Sequence, residues 1–278
     1  MKQSIGIIGQ GFVGNAIYQK FKNYFSVLTY DLDKSKRTTE TLVEVVKASN
    51  VVFVCVPTPM KRSDGSCDIS IVHSVLKEIN SIDKDVVVVI KSTIPPTTTE
   101  KFNNEFKNIT IVFNPEFLTE ANAVQDFENQ SKIILGGPRK GTTLLKQIYG
   151  LVFPSTPIIK TGSTHAEMVK YFTNTFLATK VSFANEMYEI CNKLDLDYDK
   201  VIEYATYDER LGKSHWSVPG PDGDLGFGGH CFPKDLSAIL RLAEDLGTTH
   251  NVLSATEQTN NKVRTNKDWE TMEGRAIS

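Results

Sequence analysis

The chain has 278 residues, and 31 Lys and Arg stand against 33 Asp and Glu, for a net charge of −2. That length suits two domains with cores of their own, and the charge offers no footprint for nucleic acid or an anionic membrane. No apolar run approaches a membrane span, and residues 1–4 lead into a strand pattern rather than a signal peptide.

Short β-branched runs at 4–8, 26–30, 51–56, 86–90, 109–113, 132–135 and 157–160 alternate with amphipathic spacing at 15–25, 38–49, 69–82 and 97–106. Unbroken runs such as Val86-Val87-Val88-Val89-Ile90 fit strands covered on both faces. The fold class is therefore α/β, a Rossmann-like, doubly wound parallel sheet over residues 1–162. After Gly162 the pattern turns helical. Thr164-His165-Ala166-Glu167 reads as a capping box opening a helix that runs to about residue 194. Met168, Phe172, Phe176, Val181 and Phe183 spread around much of its circumference, which implies burial in a core or against a second subunit. Further helices at 198–204, 233–246 and 252–266 complete an all-helical domain over 163–266, with a Gly/Pro-rich substrate loop at 217–229 and a tail at 267–278.

Cys55, Cys67, Cys191 and Cys231 form no CxxC pair, and the five histidines add no metal-ligand spacing. No metal site is expected, and thiols of this kind point to a reducing, cytoplasmic setting.

Gly9, Gly11 and Gly14, with Phe12 and Val13 among them, make a GxGxxG between a strand and a helix pattern. Such glycines permit a tight turn and place a pyrophosphate on the helix N-terminus. Asp31 closes the second strand, where a carboxylate can take ribose hydroxyls, favouring NAD over NADP; Lys34, Lys36 and Arg37 lie close by. The bland alternative is a structural turn and a chance aspartate. Val56-Pro57-Thr58-Pro59, Ser92-Thr93 and Asn114-Pro115-Glu116 also follow strand ends, the edge where open α/β sheets bind ligands.

Asn114 and Pro115 look like the N-cap and first residue of a helix carrying Glu116 and Glu120 on one face. That face is either solvated or a general base beside a second carboxylate. Lys170 and Asn174 sit one turn apart on the long helix, either as a snorkelling lysine with a neighbour or as oxyanion donors. In 227–235 Cys231 follows Gly228 and Gly229 and precedes Lys234 and Asp235. A thiol at a helix start beside a cation is a candidate nucleophile; the alternative is a buried structural thiol, which suits Cys55 and Cys191.

These motifs resemble, in order and over nearly the whole chain, the nucleotide-sugar C6 dehydrogenases, most closely those that act on UDP-glucose. The matching stretches are residues 9–14, 57–59, 91–93 and 114–120, then Lys170 with Asn174, Arg210, and 227–235. The resemblance implies NAD as cofactor and a four-electron oxidation of a sugar C6 hydroxyl to a carboxylate, through a thiohemiacetal and thioester on Cys231. It implies that Lys170 and Asn174 stabilise the oxyanion. Asp235 and Thr93 would position water and protons, and Glu116 would assist thioester hydrolysis. For the cofactor it implies Gly9, Gly11, Phe12, Val13, Gly14, Asp31, Lys36, Val56, Pro57, Thr58, Ser92, Thr93, Glu120 and Lys234. For the sugar nucleotide it implies Glu116, Phe117, Leu118, Lys170, Asn174, Phe227, Gly228, Cys231 and Phe232. Arg210 would reach a partner's sugar site in a homodimer built on the long helix. Family members carry a third, C-terminal α/β domain, and the chain is expected to lack it, since it ends soon after Asn260-Asn261. UDP-N-acetylmannosamine and GDP-mannose dehydrogenases share much of the pattern. A two-electron β-hydroxyacid dehydrogenase and a non-catalytic NAD-binding module remain as alternatives.

Overall fold

The computed structural model describes residues 4–278; residues 1–3, read as leading into the first strand, lie outside them. Seven strands form one sheet: β1 (Ser4–Ile8), β2 (Ser26–Tyr30), β3 (Val51–Val54), β4 (Val86–Ile90), β5 (Ile109–Phe113), β6 (Ile133–Gly136) and β7 (Ile158–Thr161), in the order β2-β1-β3-β4-β5-β6-β7. Side chains alternate between the two covered faces. Val87, Val89 and Val112 face a core with Ile17 and Phe21 of α1 (Phe12–Phe21), Phe127 of α5 (Ala123–Glu128) and Tyr149 of α6 (Arg139–Val152). Val86, Val88 and Ile90 face the other core, with Val46 of α2 (Leu42–Ala48), Leu76 of α3 (Ser70–Asn80) and Phe102 of α4 (Thr98–Glu105).

The sheet departs from the all-parallel expectation at one junction, because β5 and β6 pair antiparallel through Phe113 and Gly136. The intervening segment begins and ends at the carboxyl edge of β5, and its short α5 packs beside α1 instead of crossing a sheet face. Neither α5 nor α6 was among the helices read from the pattern.

The long helix α7 runs Ser163–Lys193. The capping box expected at its start does not form. Glu167, fully buried, instead accepts from the Thr97 and Thr99 amides, both at 2.7 Å, and from Thr99 Oγ1 at 2.6 Å. It thereby satisfies the start of α4, which has no side-chain N-cap bond of its own. Of the apolar positions on α7, Phe172 and Phe176 are 67 % and 60 % exposed, so they do not serve a core within this chain.

Contacts divide the chain into Met1–Thr58 with Ile69–Lys170, and Pro59–Asp68 with Tyr171–Ser278. The division falls inside α7, not at its start. The second unit holds the rest of α7, α8 (Tyr198–Ala205), α9 (Phe232–Asp245) and α10 (Asn251–Val263). The stretch read as a tail is folded: Trp269, Ala276 and Ile277 are buried, and Met60 pairs with Ala276 and Ser278 through backbone bonds of 2.7 and 2.8 Å. No helix among the described residues is long and apolar enough to cross a membrane.

Candidate active site

In the first unit the β1–α1 turn is shaped by steric necessity. A Cβ on Gly14 would lie 1.9 Å from the Gly9 carbonyl oxygen, and one on Gly9 (φ +89°) would lie 2.5 Å from that of Cys55. Gly11, by contrast, has open space where its Cβ would point. It is the N-cap of α1 and makes no side-chain cap bond there, and no acidic residue occupies the helix's first turn. The opening turn of α1 is thus suited to an anionic pyrophosphate. Asp31 Oδ2 accepts from the Gln10 amide at 2.6 Å and Oδ1 from the Asp33 amide at 2.8 Å, which anchors this carboxylate beside the glycine turn. The residues fit a dinucleotide. Lys36 turns to Asp33 at 3.4 Å. Phe12 and Glu120 line one cavity of about 290 Å³ together with Asn15 and residues 121–125.

Along the carboxyl edge, Ser92 Oγ donates to the Val56 carbonyl at 2.6 Å, tying the β4 loop to the β3 loop that bears Pro57 and Thr58. Thr58, Ser92 and Thr93 are buried. Residues 114–120 are not helical, contrary to the sequence reading; the next helix begins at Ala123. Asn114 is spent across the sheet instead of on a cap. Its Oδ1 accepts from Lys91 Nζ at 3.0 Å and Tyr149 Oη at 2.5 Å, and its Nδ2 donates to the Ile134 carbonyl at 2.8 Å. Glu116 folds back to accept from the Leu118 amide at 2.7 Å. Lys170 donates to the Glu116 carbonyl at 2.7 Å and to its Oε1 at 2.9 Å, while its ammonium lies 5.5 Å from the Phe117 ring centre. Burial alone would raise the Glu116 carboxyl, but Lys170, the Leu118 amide and Lys91 together outweigh it and hold the group below the usual carboxylate range. Burial brings Lys91 down to about 8. It pushes the Cys55 thiol up to about 12, which keeps that cysteine a poor nucleophile.

In the second unit Cys231 is the N-cap of α9, with Pro233 in the first turn. Lys234 and Asp235 behind it are both buried and pair at 2.5 Å. Asn174 Nδ2 donates to the other Asp235 oxygen at 2.6 Å. Burial opposes the Lys234 charge, but Asp235 and then the Cys67 and Cys231 thiols overcome this and raise its pKa. Phe227 and Phe232 pack edge to face at 5.9 Å. Arg210 lies on the surface, 88 % exposed, and forks onto Asp208. Among the described residues no cluster of His, Cys, Asp and Glu could hold a metal.

The structure therefore joins Glu116 to Lys170 in one unit and Asn174, Lys234 and Asp235 in the other, and leaves Arg210 apart in the second. Sequence reasoning missed Lys91 and Glu167 as buried charges. A lysine closing an otherwise apolar strand run was the available signal for Lys91; Glu167 gave none beyond its false capping box.

A doubly wound sheet with a glycine turn between β1 and α1, and an anchored carboxylate at the end of β2, defines a dinucleotide-binding class of protein. Residues 31–152 match the NAD-binding domain, and residues 164–262 the central domain, of the UDP-glucose/GDP-mannose dehydrogenase family. The chain belongs to that family. It is 32 % identical over 242 residues to UDP-glucose 6-dehydrogenase TuaD of Bacillus subtilis, a match covering 84 % of this chain and 51 % of that one. It is 35 % identical over 250 residues to a UDP-glucose 6-dehydrogenase of Pseudomonas aeruginosa, covering 84 % and 54 %. The structure of a UDP-glucose dehydrogenase from Pyrobaculum islandicum aligns with a TM-score of 0.85 at 29 % identity, over 94 % of this chain and 68 % of that chain. The chain spans about half the length of the curated relatives it matches.

Proposed function

We propose that this chain carries out the oxidation of a UDP-hexose, UDP-glucose first among them, at C6 to the uronate, with Cys231 as covalent nucleophile. The observation that carries the reading is Cys231 at the N-terminus of α9, directly ahead of the buried Lys234–Asp235–Asn174 network. A simple alcohol oxidation would have no use for that thiol. Gly9, Gly11, Phe12, Val13, Gly14, Asp31, Lys36, Val56, Pro57, Thr58, Ser92, Thr93, Glu120 and Lys234 would hold the cofactor. Bound NAD supplies the hydride acceptor for each of the two oxidations.

The residues of the chain do the rest. Cys231 Sγ bonds to the C6 aldehyde carbon, and the carbonyl oxygen takes a proton, giving a thiohemiacetal that cannot diffuse away. Lys170 and Asn174 donate to that oxygen as charge develops on it. After the second oxidation the thioester carbon is attacked by water, which passes a proton to Glu116, and the Cys231 thiolate leaves. Asp235 and Thr93 position the water. Glu116, Phe117, Leu118, Phe227, Gly228 and Phe232 contact the sugar nucleotide, and Arg210 serves the site of a second copy in a homodimer built on α7. A reducing, cytoplasmic setting suits the thiol.

The test is a purified-protein assay with UDP-glucose and NAD. About two NADH per uronate is the expected stoichiometry, and Cys231→Ser should stall before uronate release. One NADH with a keto product, or full activity in Cys231→Ala, would instead mark a two-electron β-hydroxyacid dehydrogenase. A second reading is a non-catalytic NAD-binding module. Calorimetry that finds NAD binding without UDP-glucose binding would favour it.

A further inference from the structure

Residues 217–231 contain no helix or strand, so their backbone polar groups must find partners elsewhere. Several are supplied by α10 and the residues after it. Asn260 Oδ1 accepts from the Phe227 amide at 2.7 Å, and its Nδ2 donates to the Phe227 carbonyl at 3.0 Å. The Arg264 guanidinium, buried, donates to Asp222 Oδ2 at 2.6 Å, to the Leu225 carbonyl at 3.4 Å and to the Asn266 carbonyl at 2.7 Å. Asp268 accepts the Gly229 amide on both carboxylate oxygens at 3.1 Å. A Cβ on Gly228 would lie 2.3 Å from Arg264 Nη2 and 2.5 Å from Asp268 Oδ1, so this glycine is pressed onto the pair. Gly229 then takes φ +71°, a left-handed step that glycine makes readily, and Cys231 follows two residues on as the N-cap of α9.

The same segment also bears on α9 by a second route. Residues 276–278 pair with Met60 and Arg62, and the carbonyl of Gly65, in the loop those residues open, accepts from Ser237 Oγ in the second turn of α9 at 3.0 Å. Arg264 and Asp268 fall outside the residues that match either family domain.

We propose that Arg264 and Asp268 are positioning residues for Cys231, fixing the 222–229 backbone so that the thiol is presented at the start of α9 in one conformation. The inference rests on the reading of Cys231 as nucleophile. Neither residue touches the reacting atoms. They act through the backbone, as supporting groups do when they hold a reactive one in register.

Alkylation of the full chain by iodoacetamide across a pH range, resolved cysteine by cysteine by mass spectrometry, tests it. In Asp268→Ala, Cys231 should react about tenfold more slowly at neutral pH and its rate midpoint should move to higher pH, while Cys55 and Cys191 keep their wild-type rates. Asp268→Asn retains an acceptor for the Gly229 amide and should restore the wild-type profile. An unchanged Cys231 profile in the alanine variant, or an equal change at Cys55 and Cys191, overturns the proposal. Should the alanine variant not fold, amide exchange in the wild type decides. Protection of Gly229 by about 100-fold or more is expected, and exchange at the rate of an unstructured peptide overturns it. Failure of the nucleophile reading would show separately, as unimpaired uronate formation by Cys231→Ser.

Discussion

Glu116 and Lys170 have side chains only 10 % and 3 % exposed, so each is the other's main compensation for leaving water. Glu116→Gln would remove the carboxylate charge that faces the buried Lys170 ammonium, and the expected loss of stability at neutral pH is about 3–5 kcal/mol, measured by chemical unfolding. The pH dependence follows from the direction of the shift. Because the folded carboxyl sits below its ordinary 4.5, the stabilisation is complete above that value and fades as pH falls through the folded one. The gap between wild type and variant should therefore narrow in acid; a gap of the same size at pH 7 and in acid would contradict the pairing. Lys91 runs the opposite way. Burial lowers it from 10.5 to about 8, so between those values the unfolded chain holds more protons than the fold. Wild-type stability should rise with pH across that window by about 3 kcal/mol relative to Lys91→Met, whose side chain has no proton to lose. A flat difference would mean that the Lys91 charge is better solvated than its surroundings imply.

At the scale of elements, α4 depends on a residue of another helix. Three donors at its start converge on the Glu167 carboxylate, reinforced by the helix dipole. Glu167→Gln keeps one acceptor oxygen where two were used, at an expected cost of about 1–3 kcal/mol in urea unfolding. The loss should be localised: amide protection at Thr97 and Thr99 should fall, while that of β4 stays. Helix caps of this kind explain what was hidden in the sequence. Thr164 and Glu167 have capping-box spacing, yet the carboxylate found better-placed donors 68 and 70 residues away. Asn114 before Pro115 likewise reads as a cap until Lys91 and Tyr149 claim its side chain. The strands were legible because unbroken Val and Ile runs answer to burial alone, whatever the partner. The direction of β6 was not, since it depends on where the chain between β5 and β6 runs. The Cys231 motif was legible because its chemistry is contiguous; Arg264 and Asp268 were not, as their partners lie some 40 residues off.

At the scale of the molecule, the exposed face of α7 carries the argument for a second copy. Met168, Phe172, Phe176, Phe183 and Ile190 are all exposed and recur at intervals of 4 or 7 along a helix of 31 residues. From first to last these side chains span about 33 Å at the rise of an α-helix. Phe172 and Phe176 stack within 9° of parallel at 6.5 Å, presenting a flat aromatic surface to water. Exposed aromatic and aliphatic side chains on one helix favour association, and under the proposed homodimer a helix paired with its own copy about a two-fold axis would cover them on both subunits at once. Under the proposed homodimer, Phe172→Glu with Phe176→Glu would bring four carboxylates into one interface, two from each subunit. Light scattering should then report a monomer where the wild type is a dimer, with the melting of the NAD-binding unit unchanged because neither side chain belongs to its cores. A variant that stays dimeric would place the interface elsewhere and leave Arg210 without a partner site to serve.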